Sequence, residues 1–469
     1  MTDIPAPQPV IGSSGRRRRS QPPGAGGQGL DRPSTPSRRS FSLGATPLRT
    51  AFIALMLCLW EGVPFTLIGM PNLYGLQLFA VIVVVCVGIY AYKAVNGLKR
   101  FTIWEGLALL LFGVCVFSSV AYSMFIRPQP IAAWAIAIYT ISPVLMIMAL
   151  RGLNCRIGDA LDAIYWAGFA GSLLLLANTS FNLHLLDFYV RGSGFGTENR
   201  VVFFKLEATF GLIIAMMKLI QTDKLKAMWG HLLVVLVLSY NVFAASESRL
   251  AIFAVLSALA LSWLLILRGN RKFLVFMLAP FAVIPVLWYV VGKFLKNFNG
   301  LEDYLARDVS ATWREFTIQH YQGYFDTTHG LGFGFMSANA NYDNVLAFSS
   351  TRASELFGVP DYVLSLDDIG LYAALYQYGW LGLGLILVMT AMAIVALFRS
   401  RTLGSAFVPV ASVGLLMATF LLSPIPMNYF SLFYTAHMGG LLWFLAAEAA
   451  AARSGVAARQ GQGQSRSRS

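Results

Sequence analysis

Apolar runs of about 20 residues recur along the chain, and their spacing is its dominant pattern. A helix rises about 1.5 Å per residue, so each run is long enough to cross a hydrocarbon core of roughly 30 Å. Lipid offers no hydrogen-bond partners, so a run that must satisfy its own backbone is helical. A membrane-spanning barrel would need short segments with a period of two, and none is present. The pattern predicts about twelve spans, near 50–70, 74–94, 101–122, 130–150, 159–181, 201–221, 227–246, 250–267, 273–292, 369–398, 405–423 and 429–449. The segment 369–398 is long enough to begin as an amphipathic piece outside the bilayer. The last span opens at Asn428 and Tyr429 and contains His437, which makes it the weakest of the set.

Composition strengthens this all-α polytopic membrane class. Hydrophobic residues make up 57% of the chain and charged residues 12%, against roughly 25% charged in ordinary soluble domains. No stretch outside the apolar runs is much longer than about 75 residues, which excludes a large soluble domain. The expected organisation is a basic tail over 1–47, nine spans within 48–292, a loop with a helical segment over 293–368, three spans within 369–450, and a second basic tail over 451–469. Residues 1–47 are rich in Pro, Gly, Ser and Arg, and 454–469 repeat Gly, Gln, Ser and Arg. Neither can bury a core, so both tails are expected to be disordered. No apolar stretch follows the first arginines until about residue 50, so a cleavable signal peptide is not expected.

Charge adds an orientation. Basic residues stay preferentially on the cytoplasmic side of a membrane. The first tail carries Arg16 to Arg19, Arg38, Arg39 and Arg49. Every second loop is basic as well: Lys93, Lys99 and Arg100; Arg151 and Arg156; Lys218, Lys224 and Lys226; Arg268, Arg271 and Lys272; Arg399 and Arg401. The second tail has Arg453, Arg459, Arg466 and Arg468. Short loops on the other side are nearly free of charge, Arg127 being an exception. An even number of spans with both termini in the cytoplasm is therefore expected. The net charge of +13 reads as topology, and nucleic acid is not an expected partner.

The other face holds the candidate chemistry. Cys58, Cys86, Cys115 and Cys155 fall in helices or a cytoplasmic loop, so no disulfide framework or thiolate metal site is expected. His184, His231, His320, His329 and His437 lack metal-ligand spacing, and neither metal nor cofactor is expected. Outer loops should be poor in arginine, yet Arg191, Arg200, Arg249, Arg307, Arg314 and Arg352 lie there or at the membrane edge. A guanidinium is a planar, permanently charged fork suited to phosphate. Pairing with a nearby acid is the simpler use: Arg191 with Asp187, Arg249 with Glu247, Arg307 with Asp303. Arg249, in SESRLAIF, enters a helix that Ser246 or Ser248 could cap, and the helix N-terminus would add its own attraction for an anion. Snorkelling would also place a basic residue there.

In the long loop, Leu301 to Tyr324 has helical spacing, and Arg307 and Arg314 are two turns apart on one face. HGLGFGFMS follows, with Gly330, Gly332 and Gly334 alternating with Leu331, Phe333 and Phe335. It lacks the Lys-Ser or Lys-Thr of a phosphate loop and is expected to make a tight turn and close packing. Asp367 and Asp368 stand where the chain re-enters the bilayer. Each is either an N-cap, worth roughly 0.5–2 kcal/mol, or a carboxylate base for a hydroxyl nucleophile.

The succession of an outer-edge Ser-Arg, a large outer loop, Trp313-Arg314, GLGFGF and GLYAALYQYGWLGLG resembles the O-antigen ligase and Wzy-type polysaccharide polymerase superfamily. The resemblance covers roughly residues 190–400. It implies a GT-C-like architecture and metal-independent transfer of glycan from undecaprenyl diphosphate. Arg249 and Arg314, with Arg191, Arg200 and Arg307 as further candidates, would hold the diphosphate; Asp368, ahead of Asp367, would be the base. O-antigen ligases usually have a His, often followed by Asn, where this chain has Asp367-Asp368, which favours a polymerase over a ligase. The implied partners are undecaprenyl-diphosphate-linked donor and acceptor, membrane lipids, a flippase and a chain-length regulator. Two readings of other classes stand beside it: a lipid-linked oligosaccharide transporter, for which Lys205 and Glu207 are the main intramembrane charges, and a non-catalytic scaffold.

Overall fold

The computed structural model describes residues 45–70, 73–126, 128, 138–181, 183, 190–192, 199–201, 204–222, 224–245, 249–265, 309–334, 347–349, 361–363, 369–421 and 432–466. They form a helical bundle. Its helices are α1 Pro47–Trp60, α2 Val63–Leu67, α3 Leu73–Val95, α4 Ile103–Ala121, α5 Met146–Gly152, α6 Ile157–Phe181, α7 Lys205–Gln221, α8 Leu225–Ser239, α9 Arg249–Leu265, α10 Val309–Asp326, α11 Leu371–Ser400, α12 Val408–Leu421 and α13 Leu432–Arg466. Among the described residues five segments are long and apolar enough to cross a membrane: Tyr74–Val95, Ile103–Ile126, Ile157–Phe181, Leu225–Phe243 and Leu371–Ser400. Shorter apolar helices span Pro47–Trp60, Ser142–Gly152 and Val408–Leu421. The expected span at 273–292 lies outside the described residues, and that at 130–150 lies partly outside them.

Two departures from the sequence reading have local causes. The α13 helix continues to Arg466 instead of giving way to a disordered tail at 451, because the alanine-rich run from Ala446 has high intrinsic helix propensity. Short strands also occur: β1 Val190–Gly192 pairs with β2 Asn199–Val201, and β3 Ala347–Ser349 with β4 Asp361–Val363, both antiparallel. Three-residue strands are too short for a period of two to mark them. Of the loop helix expected over Leu301–Tyr324, the part from Val309 onward is helical, as α10, and residues 301–308 lie outside the described residues.

Contacts gather the helix ends into two groups. The end carrying α10 holds the C-terminal ends of α1 and α4 and the N-terminal ends of α11 and α13. There Tyr122 meets Phe333 edge-on at 5.7 Å, and Trp60 stacks on His437 at 4.2 Å. We call this the loop end. The opposite end is closed by charge. Arg151 Nε lies 2.6 Å from Glu105 and its Nη1 3.1 Å from Glu448, joining α5, α4 and α13. Asp159 accepts from the N–H of Thr46 at 2.5 Å and of Arg156 at 2.7 Å, tying the starts of α1 and α6. Lys93 donates to the Gly152 carbonyl at 2.6 Å. The basic residues read from the sequence as topology signals are therefore partly structural as well.

The glycine motif packs against a break in α11. Gly379 has φ 69° and ψ −175°, which interrupts that helix and frees carbonyls that lipid could not satisfy. The turn at 330–334 supplies the partners: Phe333 N–H donates to Tyr376 O and Gly334 N–H to Gln377 O, both at 2.7 Å, while Trp380 N–H donates to Gly330 O at 3.1 Å. Gly332 and Gly334 have φ 79° and 63°. A Cβ on Gly332 would lie 2.5 Å from Gly379 N, and one on Gly334 would collide with Ser119 of α4. Tyr122, Tyr321, Phe325, Phe333 and Tyr376 close over the junction as an aromatic cluster. The tight turn expected from the motif is thus a strap over a broken helix.

Candidate functional site at the loop end

Among the described residues, the buried chemistry of the loop end centres on the start of α7. Gly168 and Gly171 of α6 let it approach closely: a Cβ on Gly168 would sit 2.5 Å from Glu207 O, and one on Gly171 2.6 Å from the Phe204 ring. Phe204, in the left-handed region at φ 48°, turns the chain into the helix. Its first turn buries Lys205, 9% exposed, and Glu207, 2% exposed. The α1 helix ends in front of them, with Gly62 at φ 68° separating it from α2. Glu61, at that break, accepts the Phe204 N–H and is hydrogen-bonded to the Glu207 carboxyl. A hydrogen bond between two carboxyls requires a proton on one of them, so the pair is a shared-proton dyad. Glu207 Oε2 has no hydrogen-bond partner among the described residues.

Polar groups surround this dyad. Asn241 donates to Ser172 at 2.9 Å, both buried, and Tyr240 pairs with Thr179 at 2.9 Å. Tyr240 and Asn241 belong to a π-helical segment, Tyr240–Ala245, that ends α8 immediately before the Arg249 region. A wider turn of this kind is frequent at functional sites. His437 of α13 is fully buried on the Trp60 ring, and neither of its ring nitrogens has a partner among the described residues.

The arginines from the sequence occupy this end by their place in the chain. Arg191 and Arg200 face each other in the register of β1 and β2, whose hairpin leads into α7. Arg249 is the first residue of α9, which packs against α7 and α12. Arg314 lies within α10. Arg307, Asp367 and Asp368 lie outside the described residues. Glu61 escaped the sequence reading although it stands inside the first expected span. An ionisable residue in an apolar run was the available signal. His437 was noted but assigned no role. Among the described residues no group of three or more His, Cys, Asp or Glu is placed to hold a metal ion.

What this end can do chemically is accept a proton beside a hairpin and helix start that carry permanent positive charge. No protein-family model and no curated protein matches the chain.

Proposed function

We propose that the protein is a polysaccharide polymerase of the bacterial inner membrane, a metal-independent glycosyltransferase using a polyprenyl-diphosphate-linked donor. The observation that carries the reading is the placement of Arg191 and Arg200 at facing register positions of the hairpin that precedes α7, with Arg249 at the first position of α9, which packs against α7. Guanidinium groups are suited to a diphosphate. In the proposed reaction a sugar hydroxyl of one lipid-linked repeat unit attacks the anomeric carbon of the growing chain. The bond from that carbon to the phosphate oxygen breaks, and undecaprenyl diphosphate leaves with the electron pair. Arg249 and Arg314, with Arg191, Arg200 and Arg307 in support, stabilise the charge that develops on it. Asp368, ahead of Asp367, is the base that the sequence proposes. The twelve-span, GT-C-like topology with both termini cytoplasmic belongs to the same proposal.

The transporter reading gains one specific observation, the ionisable pair at the break of α1, since broken helices carry ion sites in transporters. Its members stand at the end of α1 and in the first turn of α7, not at the middle of a helix, which favours a site at the membrane surface. The test is transfer by purified full-length protein in lipid nanodiscs, given lipid-linked oligosaccharides from source cells lacking this protein. Polymer and free undecaprenyl diphosphate are expected, with Arg249→Ala and Arg314→Ala each lowering turnover about 100-fold or more. Unchanged polymer yield in both variants, at normal expression, would sink the assignment.

A further inference from the structure

We infer that the base of this site is the Glu61–Glu207 dyad, with Glu207 Oε2 as the atom that receives the proton of a sugar hydroxyl; the inference rests on the glycan-transfer reading above. Its starting point is an unsatisfied atom. Glu207 is 2% exposed, and one of its carboxyl oxygens has no hydrogen-bond partner among the described residues. Buried polar atoms are nearly always paired, because an unmade hydrogen bond costs about 1–3 kcal/mol. An oxygen left in this state can accept a hydrogen bond from a donor outside the chain.

The neighbours narrow what that donor is. Glu61 is already engaged by the Phe204 N–H and by Glu207. One proton shared between two carboxyls leaves the pair with a single negative charge, so it can still accept another proton. A carboxylate is the common acceptor for a carbohydrate hydroxyl, whose O–H is the only donor the transfer chemistry brings to the site. The step balances: the hydroxyl proton passes to Glu207 Oε2 as the proton shared with Glu61 moves onto Glu61, the new bond forms from the sugar hydroxyl oxygen to the anomeric carbon, and the diphosphate takes the pair from the bond that breaks.

Position supports the assignment. The dyad lies at the loop end, with Glu207 in the first turn of the helix that the Arg191–Arg200 hairpin precedes and against which the Arg249 helix packs. The break at Glu61-Gly62 separates α1 from α2 and leaves the carboxyl at a chain turn, clear of the regular helix.

The experiment is the nanodisc transfer assay with three variants: Glu207→Gln, Glu207→Ala and Glu61→Gln. Glu207→Gln keeps shape and hydrogen bonding but cannot take a proton; kcat is expected to fall about 100-fold or more, with KM for the lipid-linked oligosaccharide within about threefold. Added formate is expected to restore part of the rate in Glu207→Ala, an effect that a purely structural role would not give. Glu61→Gln is expected to retain an intermediate rate. Unchanged kcat in Glu207→Gln, absence of formate rescue, or loss of its folded helical signal overturns the inference while leaving the polymerase reading intact. Absence of any polymer from the unaltered protein overturns the polymerase reading, and this inference with it.

Discussion

Arg151 holds two carboxylates at the end of the bundle opposite the loop. Glu105 is fully buried and pairs with this guanidinium at 2.6 Å. Removing one member of a buried pair leaves the other charge without compensation, which costs about 3–5 kcal/mol. Arg151→Met is therefore expected to lower the melting temperature sharply in detergent. Glu448→Gln is the contrast: its side chain is 25% exposed, so solvent screens it, and the loss is expected to be about 1 kcal/mol or less. Equal shifts in the two variants would contradict the assignment of Glu105 as the dependent charge. At the loop end the same physics runs toward function. Glu207 is 2% exposed and hydrogen-bonded to Glu61, with one carboxyl oxygen unpaired among the described residues, and groups held in this way cluster at functional sites.

Among the helices, α11 is the one that the loop decides. Its break at Gly379 exists because the turn at 330–334 replaces the missing helical bonds. A Cβ at Gly379 would collide with the Gly330 carbonyl, whereas one at Gly384 of the same helix meets nothing within 4 Å. Gly379→Ala is expected to destabilise by about 2 kcal/mol or more through strain and the clash. Gly384→Ala is expected to be neutral or to stabilise by up to about 1 kcal/mol through helix propensity. Thermal unfolding of the two variants side by side checks this, and similar behaviour would mean that the strap does not hold the break. The sequence displayed the glycines and their alternation, and it predicted a tight turn. It did not name the partner, because Tyr376, Gln377 and Trp380 are more than forty residues away and present only backbone atoms to the contact.

For the whole molecule, the proposed orientation places the loop end outside the cell and α13's extension inside it. Gly323 in α10 and Gly455 in α13 both have open space where a side chain would grow. In a protein whose four cysteines are replaced, Gly323→Cys is expected to react with an impermeant maleimide on intact spheroplasts. Gly455→Cys is expected to react only after permeabilisation; the reverse pattern would invert the topology. Apolar runs and basic loops carry the membrane class and the expected orientation by themselves, since a helix in lipid must satisfy its backbone within one contiguous segment and charge acts locally at its ends. Cys58, Cys86 and Cys115 accordingly lie in helices, as the sequence predicts. The clamp of Arg151, Glu105 and Glu448 and the dyad of Glu61 and Glu207 were decided only by tertiary structure. Each joins residues from separate helices, and which charges meet across a bundle depends on packing, crossing and close glycine contacts that no local pattern encodes.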